Sequence, residues 1–315
     1  MYNKELILTL LNINGMGRKT INNLLKENLP KTLECHNILS FINKINKFSF
    51  LKIEDIIQSQ TKAKSIISYC NKNKIGIITI LDKNFPNKLK IIDDNPVLLF
   101  YKGNINCLNY TKSIAIVGSR FPSIYGKEYA NHISRYFLDK NFIIVSGLAC
   151  GCDTYAHKIC TSSNKRTIAV LPCGINHIYP KSNIDLYKEI ILNDGCLVSE
   201  YFPNQPPLKY QFIERDRLQS ALSIGIAIIE CSINSGTMHT VYFGKKQNKL
   251  ISCCIPNKNI SIDKISGNKK ILEDKNIIPI YNYDSLNNFY LLLEKNINRN
   301  SDSSKYTSHQ LKFSL

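Results

Sequence analysis

The chain has 315 residues, 43% of them hydrophobic, enough for one sizeable core domain with something smaller beside it. Lys and Arg number 41 against 24 Asp and Glu, a formal net charge of +17, so the long-range field attracts polyanions, nucleic acid ahead of an acidic membrane surface. No apolar run approaches the ~18 residues of a membrane-spanning helix, and the start MYNKELILTLLNINGMG is too short in its apolar stretch for a signal peptide, so a cytoplasmic location with no membrane partner is expected.

The 11 cysteines sit mostly in apolar segments, among them Cys70, Cys160, Cys196, Cys231 and Cys253, where a reduced thiol serves as a small hydrophobe. No C-x-x-C pair occurs, and the expectation is neither a disulfide framework nor a metal site.

Residues 5–29 give two short helical patterns joined at Gly15-Met16-Gly17, like a helix-hairpin-helix. In that motif, backbone N–H groups at a helix start can meet a phosphate, and Arg18-Lys19 would add charge; a plain αα-hairpin with a glycine turn fits equally well. Helical patterning continues through Leu51–Tyr69, so residues 1–75 read as a small helical domain, helix-hairpin-helix or SAM-like. Residues 75–104 then read as a strand, a turn, a helix stub and a second strand ending at Gly103.

From Ser113 the pattern changes to short β-branched runs alternating with amphipathic stretches: Ile114–Val117, Phe142–Val145, Thr167–Leu171, Cys196–Val198, Ile226–Ile229 and Leu250–Cys253. Near-continuous apolar strands separated by helices imply a mostly parallel sheet covered on both faces, a Rossmann-like, doubly wound α/β core spanning residues 76–295. Residues 257–270 are Lys/Asn-rich and read as a loop; Ile277–Tyr281 looks like a strand and Ser285–Glu294 like a last helix. Residues 296–315 are polar enough to be a disordered tail.

In an open α/β sheet the binding crevice lies beyond the carboxyl ends of the strands. The residues there are Gly118-Ser119-Arg120, Ser146-Gly147, Gly174 with Lys181 further along its loop, and Ser235-Gly236-Thr237 at the mouth of a helix. Together they would make an anion site of backbone N–H groups and hydroxyls, with Arg120 and Lys181 supplying full charge. Arg215 and Arg217 read as lying near a helix start, where two cations oppose the dipole, and contact with a nucleic-acid backbone would account for them. Asp153 and His157, four apart, could form an acid–base pair, but no nucleophile accompanies them, so a capping Asp and a structural His are expected and no catalytic residue is assigned.

The ordered set Val117-Gly118-Ser119-Arg120, Tyr125-Gly126, Ser146-Gly147-Leu148-Ala149-x-Gly151-x-Asp153, Ala156-His157, Gly174, Tyr179-Pro180, Ser199-Glu200, Phe212, Arg215-x-Arg217, Glu230 and Ser235-Gly236 resembles the signature of the DNA-processing protein A (DprA/Smf) family. Phe85-Pro86-x-x-Leu89 and Pro96-x-x-Leu99-x-x-Lys102-Gly103-Asn104 extend the resemblance toward the N-terminus. It implies a homodimeric, non-enzymatic protein without a cofactor that binds single-stranded DNA and loads the RecA recombinase during natural transformation. It also implies DNA contacts for Arg120, Lys181, Arg215 and Arg217. Asp216 departs from the family's usual Asn, Thr237-Met238-His239-Thr240 from its S-L-I-T run, and Pro256-Asn257 from its Pro-Gly. No winged-helix pattern follows residue 295, which points to a divergent branch. The alternative is a nucleotide-binding sensor or nucleotide N-glycosidase-like enzyme on a related fold; Asn234-Ser235-Gly236-Thr237 lacks the double glycine of such enzymes, and no carboxylate follows it closely.

Overall fold

Six consecutive residues of the first helix, Glu5 to Leu10, are buried, so this helix is enclosed nearly all round rather than amphipathic. It belongs to the first of two units in the structure, a computed structural model that describes residues 2–255 and 260–310. That unit takes Met1–Lys102 with the segments Cys173–His177 and Val198–Pro206; the second takes Gly103–Pro172, Ile178–Leu197 and Pro207–Leu315.

In the first unit α1 (Tyr2–Leu11) leads through a turn, with Gly15 at φ +77°, into α2 (Arg18–Leu24), followed by α3 (Cys35–Ile42) and α4 (Ile53–Lys72). Strand β1 (Gly76–Thr79), the short helix α5 (Asn87–Lys90) and β2 (Leu98–Gly103) complete it, the two strands pairing antiparallel from Gly76 opposite Tyr101 to Thr79 opposite Leu98. The sequence pattern put a boundary at residue 75. The chain divides at Lys102 instead, because α1 and α4 pack on β1 and β1 pairs with β2.

The second unit runs β3 (Ser113–Val117), α6 (Ile124–Asp139), β4 (Ile143–Ser146), α7 (Cys152–Ser162), β5 (Thr167–Val170), α8 (Ile184–Leu192) and the first half of β6 (Cys196–Ser199), whose Val198 and Ser199 fall in the first unit. It continues with α9 (Lys209–Ala221), β7 (Gly225–Ile228), α10 (Thr237–Lys246), β8 (Leu250–Cys254), α11 (Ile262–Leu272), β9 (Ile278–Ile280) and α12 (Tyr283–Gln310). Spatial order is β6-β5-β4-β3-β7-β8-β9, and the β4–β5, β3–β4, β3–β7, β7–β8 and β8–β9 pairs are all parallel. The chain winds outward from β3 on one side and returns to β7 on the other. The switch point therefore lies at β3, where a crevice opens beyond the strand ends.

Strand alternation sorts the core into two layers. Ile114 and Ile116 face Phe137 of α6, Ala156 of α7 and Phe289 of α12, whereas Ala115 and Val117 face Val241 of α10 and Ile271 of α11. Helices thus cover both faces, the doubly wound arrangement that near-continuous apolar strands require.

Two expectations from composition need correcting. Within the Lys/Asn-rich stretch 257–270, helix α11 begins at Ile262 and buries Ile265, Asn268 and Ile271, a spacing of three that the surrounding lysines obscured; residues 257–259 lie outside the described residues. Helix α12 continues past residue 295 to Gln310, where disorder was expected. Its seam of Phe289, Leu293 and Ile297, four apart, carries the apolar packing beyond that boundary, and residues 311–315 lie outside the described residues.

Candidate functional site

At the carboxyl edge of the parallel strands of the second unit, around the switch point, lies a cavity of about 390 Å³. The loop after β3 (Gly118, Ser119, Arg120, Phe121), Asp153 of α7, one face of α9 and the loop from Ser232 into α10 enclose it.

The β3 loop is held from below. Ser119 N donates to Glu230 O at 2.6 Å, Cys152 N donates to Ser119 O at 3.0 Å, and Phe121 N donates to Ser119 Oγ at 3.0 Å. Glu230, buried just past β7, accepts from Ser123 N at 2.9 Å and from the Ser123 hydroxyl, fixing the start of α6. Held this way, Arg120 reaches out exposed, its guanidinium 5.0 Å from the centre of the Phe212 ring, which in turn packs edge-on against Tyr179. Among the described residues Arg120 forms no ion pair, so its charge is available to an anion.

The floor is built on the loop after β4. Gly147 N donates to Asp153 Oδ2 at 3.0 Å and Ala149 N to the same oxygen at 3.4 Å, so Asp153 organises the turn that leads into α7. Above Gly147 passes the Arg215 side chain: a Cβ at this position would lie 1.6 Å from Arg215 Nη1. Arg215 donates from Nη1 to Val170 O at 2.7 Å and pairs through Nε with Asp216 Oδ1 at 3.0 Å. Burial pushes the Asp216 carboxyl up to about 7 against the pull of Arg215, with Asp153 raising it further and Arg120 lowering it. Asp153 is also raised by burial, with Arg215 opposing.

The expected site residues distribute unevenly. Gly118, Ser119, Arg120, Arg215, Ser235, Gly236 and Thr237 line the one cavity. Gly147 backs it by making room for Arg215. Ser146 is fully buried and donates to Ile116 O at 2.7 Å, tying β4 to β3. Lys181 is exposed and does not line the cavity; its turn is docked on the β4 loop, where Asn183 Nδ2 donates to Leu148 O at 2.9 Å. Gly174 belongs to the first unit, where it donates to Gln205 O at 2.8 Å and where Phe202 O would meet a Cβ at 2.0 Å.

The arginine pair of α9 separates. Phe212, Arg215, Asp216 and Gln219 face the cavity at i, i+3, i+4 and i+7, one helical face, while Arg217 falls off it and is only 2% exposed. Helix α9 begins at Lys209, so neither arginine lies near its start as expected, and the dipole conflict disappears because that effect fades within the first turn. The same periodicity picks out Asp216 and Gln219, which reading the strand ends alone misses.

His157 is fully buried and shares a hydrogen bond of 2.8 Å between Nδ1 and Thr167 Oγ1. Burial, with Arg215 adding to it, drives its pKa down to about 3, so it stays neutral. Asp153 is committed to backbone N–H groups, and the two do not form an acid–base pair.

An open parallel sheet wound both ways from β3, with glycine loops, a helix start and Arg120 around the crevice at its switch point, is a Rossmann-like α/β architecture. The family described as DNA recombination-mediator protein A matches residues 76–290, and the chain belongs to it. The chain is 35% identical over 195 residues to the DNA processing protein DprA of Bacillus subtilis, covering 62% of this chain and 65% of that one. To the DprA of Streptococcus pneumoniae it is 40% identical over 167 residues, covering 53% and 58%. These matches span somewhat less than two thirds of either relative. Among solved structures, the S. pneumoniae DprA superposes with a TM-score of 0.75 at 27% identity, covering 91% of this chain and 97% of that one. The DprA of Helicobacter pylori, whose structure describes its single-stranded DNA binding mode, gives 0.62 at 28% identity, covering 70% and 97%. No described helix is long and apolar enough to cross a membrane.

Proposed function

We propose that this chain binds single-stranded DNA along the carboxyl edge of its second unit and acts in the cytoplasm as a recombination mediator. On this reading it is a homodimer that hands the strand to a RecA recombinase during DNA uptake, and it turns nothing over. The observation that carries the proposal is Arg120: exposed, without an ion-pair partner among the described residues, stacked on Phe212 and mounted over a cavity rimmed by the start of α10. A planar guanidinium over the half-buried Phe212 ring, with Phe121 exposed next to it, suits a flexible strand, offering charge to phosphate and ring faces to unpaired bases. Family membership and the strand binding described for the H. pylori relative support the same reading. Against an enzyme stand the neutral, buried His157 and the Asp153 carboxylate spent on backbone N–H groups.

Fluorescence anisotropy with a labelled oligo-dT strand across a salt series tests it. Affinity is expected to fall steeply with salt as phosphate counterions are released, and Arg120→Ala to weaken binding by about tenfold or more, well beyond Lys275→Ala, an exposed lysine ahead of β9 at the opposite, amino edge of the sheet. No binding at low salt, or equal losses for the two variants, would overturn the proposal.

A further inference from the structure

We propose that Asn268 of α11, which does not line the cavity, is a positioning residue for strand binding: it sets the loop after β7 and, through Glu230, the loop that carries Arg120. The inference rests on the strand-binding reading above and adds to it a residue that acts without touching the strand. The loop after β7 supplies Ser232, Asn234, Ser235, Gly236 and Thr237 to the cavity lining. It leaves the sheet where the β7–β8 ladder has ended, at Ile228 opposite Cys253, so its backbone groups need other partners. Helix α11 provides them. Asn268, fully buried, accepts from Cys231 N at 2.7 Å and donates from Nδ2 to Ile229 O at 2.8 Å and to Cys254 O at 3.1 Å. Just before it, Ser266 Oγ accepts from Ile233 N at 3.0 Å and Gly267 N donates to Cys231 O at 3.0 Å. A Cβ at Gly267 would lie 2.7 Å from Ser232 O, so helix and loop are in direct contact.

These bonds converge on Glu230. It stands between Ile229 and Cys231, the two loop residues that Asn268 grips. Its carbonyl accepts from Ser119 N at 2.6 Å and its carboxylate from Ser123 N at 2.9 Å, on either side of Arg120 in the chain. A displacement at the end of β7 therefore reaches both rims of the crevice, the start of α10 directly and Arg120 by way of Glu230. The Asn268 amide has two N–H donors and one oxygen, and all are engaged with backbone, so it holds nothing back for a ligand. An apolar side chain of similar size would fill the space but lose all three bonds, so the amide sets the direction of the loop rather than its bulk. Aspartate keeps the acceptor for Cys231 N, yet puts an oxygen where Ile229 O and Cys254 O need a donor, and the loop must move away from it.

The test uses the full chain and a labelled oligo-dT strand, with thermal melts to choose a temperature at which each variant is folded. Asn268→Asp is expected to weaken the strand about tenfold. Ile271→Val, which trims the buried face of the same helix and removes no hydrogen bond from the loop, should lower the melting temperature yet stay within about twofold in affinity. Arg120→Ala combined with Asn268→Asp should bind at least about threefold tighter than the product of the two separate losses predicts, because one residue acts through the other. If Asn268→Asp does not fold, Ser266→Ala, which frees only Ile233 N on an exposed residue, takes its place with about threefold weaker binding expected. Unchanged affinity of the folded variant, an equal loss for Ile271→Val, or losses that simply multiply with Arg120→Ala would overturn the positioning role and leave strand binding standing. No binding of the strand by the unaltered protein would overturn both.

Discussion

Two glycine turns in this chain carry the same sequence-level promise, and the structure separates them. The turn at Gly15-Met16-Gly17 in the first unit is followed by Arg18 and Lys19; the loops after β3 and β4 in the second unit offer Gly118 and Gly147, with Arg120 at hand. In the first, Arg18 is bound by Asp94 through Nε at 2.8 Å and Nη2 at 2.5 Å, so its charge is already answered. A hollow of about 570 Å³ lies beside it, lined by Lys19, Lys26 and Asp93, and thus of mixed sign. In the second, the buried carboxylates pair with Arg215 and with backbone N–H groups, while Arg120 projects unpaired over the cavity. A basic residue near a glycine turn marks a site only when its charge is not consumed by a neighbour.

The sharpest way to break that comparison is to add one methyl group to a glycine in each turn. At Gly147 the new Cβ would lie 1.6 Å from Arg215 Nη1, whereas at Gly17 it meets nothing within 4 Å. Gly147→Ala must therefore displace the guanidinium from Val170 O and Asp216. It is expected to cost about 1–3 kcal/mol in thermal or denaturant unfolding and to weaken strand binding with it. Gly17→Ala should stay within about 0.5 kcal/mol and leave binding unchanged. Equal behaviour of the two would show that Gly147 is an ordinary turn residue.

A pH series sharpens the electrostatic half of the contrast. With Asp216 near 7 in the folded chain against an ordinary value of 3.8, the folded state holds a proton between those limits that the unfolded chain has released. Stability contributed through this group is therefore greatest in acid, falls as pH rises from about 4 to about 7, and levels above that. Arg215 and Arg120 pull the carboxyl down and Asp153 pushes it up, while His157, near 3, stays neutral across the range. Strand affinity should follow the same direction, several-fold weaker at pH 8 than at pH 6, because a new negative charge then faces phosphate. Asp216→Asn is expected to flatten both profiles, by thermal melts and anisotropy at matched ionic strength; an unchanged slope would remove Asp216 from the account.

Much of the second unit was legible in the sequence because its strands are short β-branched runs buried on both faces, and such runs have few other uses. The loops after β3 and β7 were legible for the same reason, since strand ends locate themselves. What escaped was set by helical phase and by the division of the chain. Arg215 and Arg217 look equivalent in one dimension, yet two residues of helix turn them apart, so one lines the cavity and the other is buried away from it. Gln219 carries no charge and no motif, and only its position seven residues after Phe212 betrays it. Gly174 reads like the other strand-end glycines, but the chain around it folds with the first unit, and no local pattern records that.

The smallest expected effects test the charges outside the cavity. Lys181 is exposed on a turn docked to the β4 loop, so a strand leaving the rim could pass it, while Arg18 belongs to the first unit and is tied to Asp94. Lys181→Ala is expected to reduce the slope of log affinity against log salt by about one and to weaken binding a few-fold at low salt, the signature of one lost phosphate contact. Arg18→Ala should leave the slope unchanged and remove at most about 1 kcal/mol of stability, since its ion pair is partly exposed, with side chains 23% and 26% accessible. If Arg18→Ala lowered the slope as much as Lys181→Ala, the glycine turn of the first unit would be binding DNA after all, and the distinction between spent and unspent charge would fail where it is most easily checked.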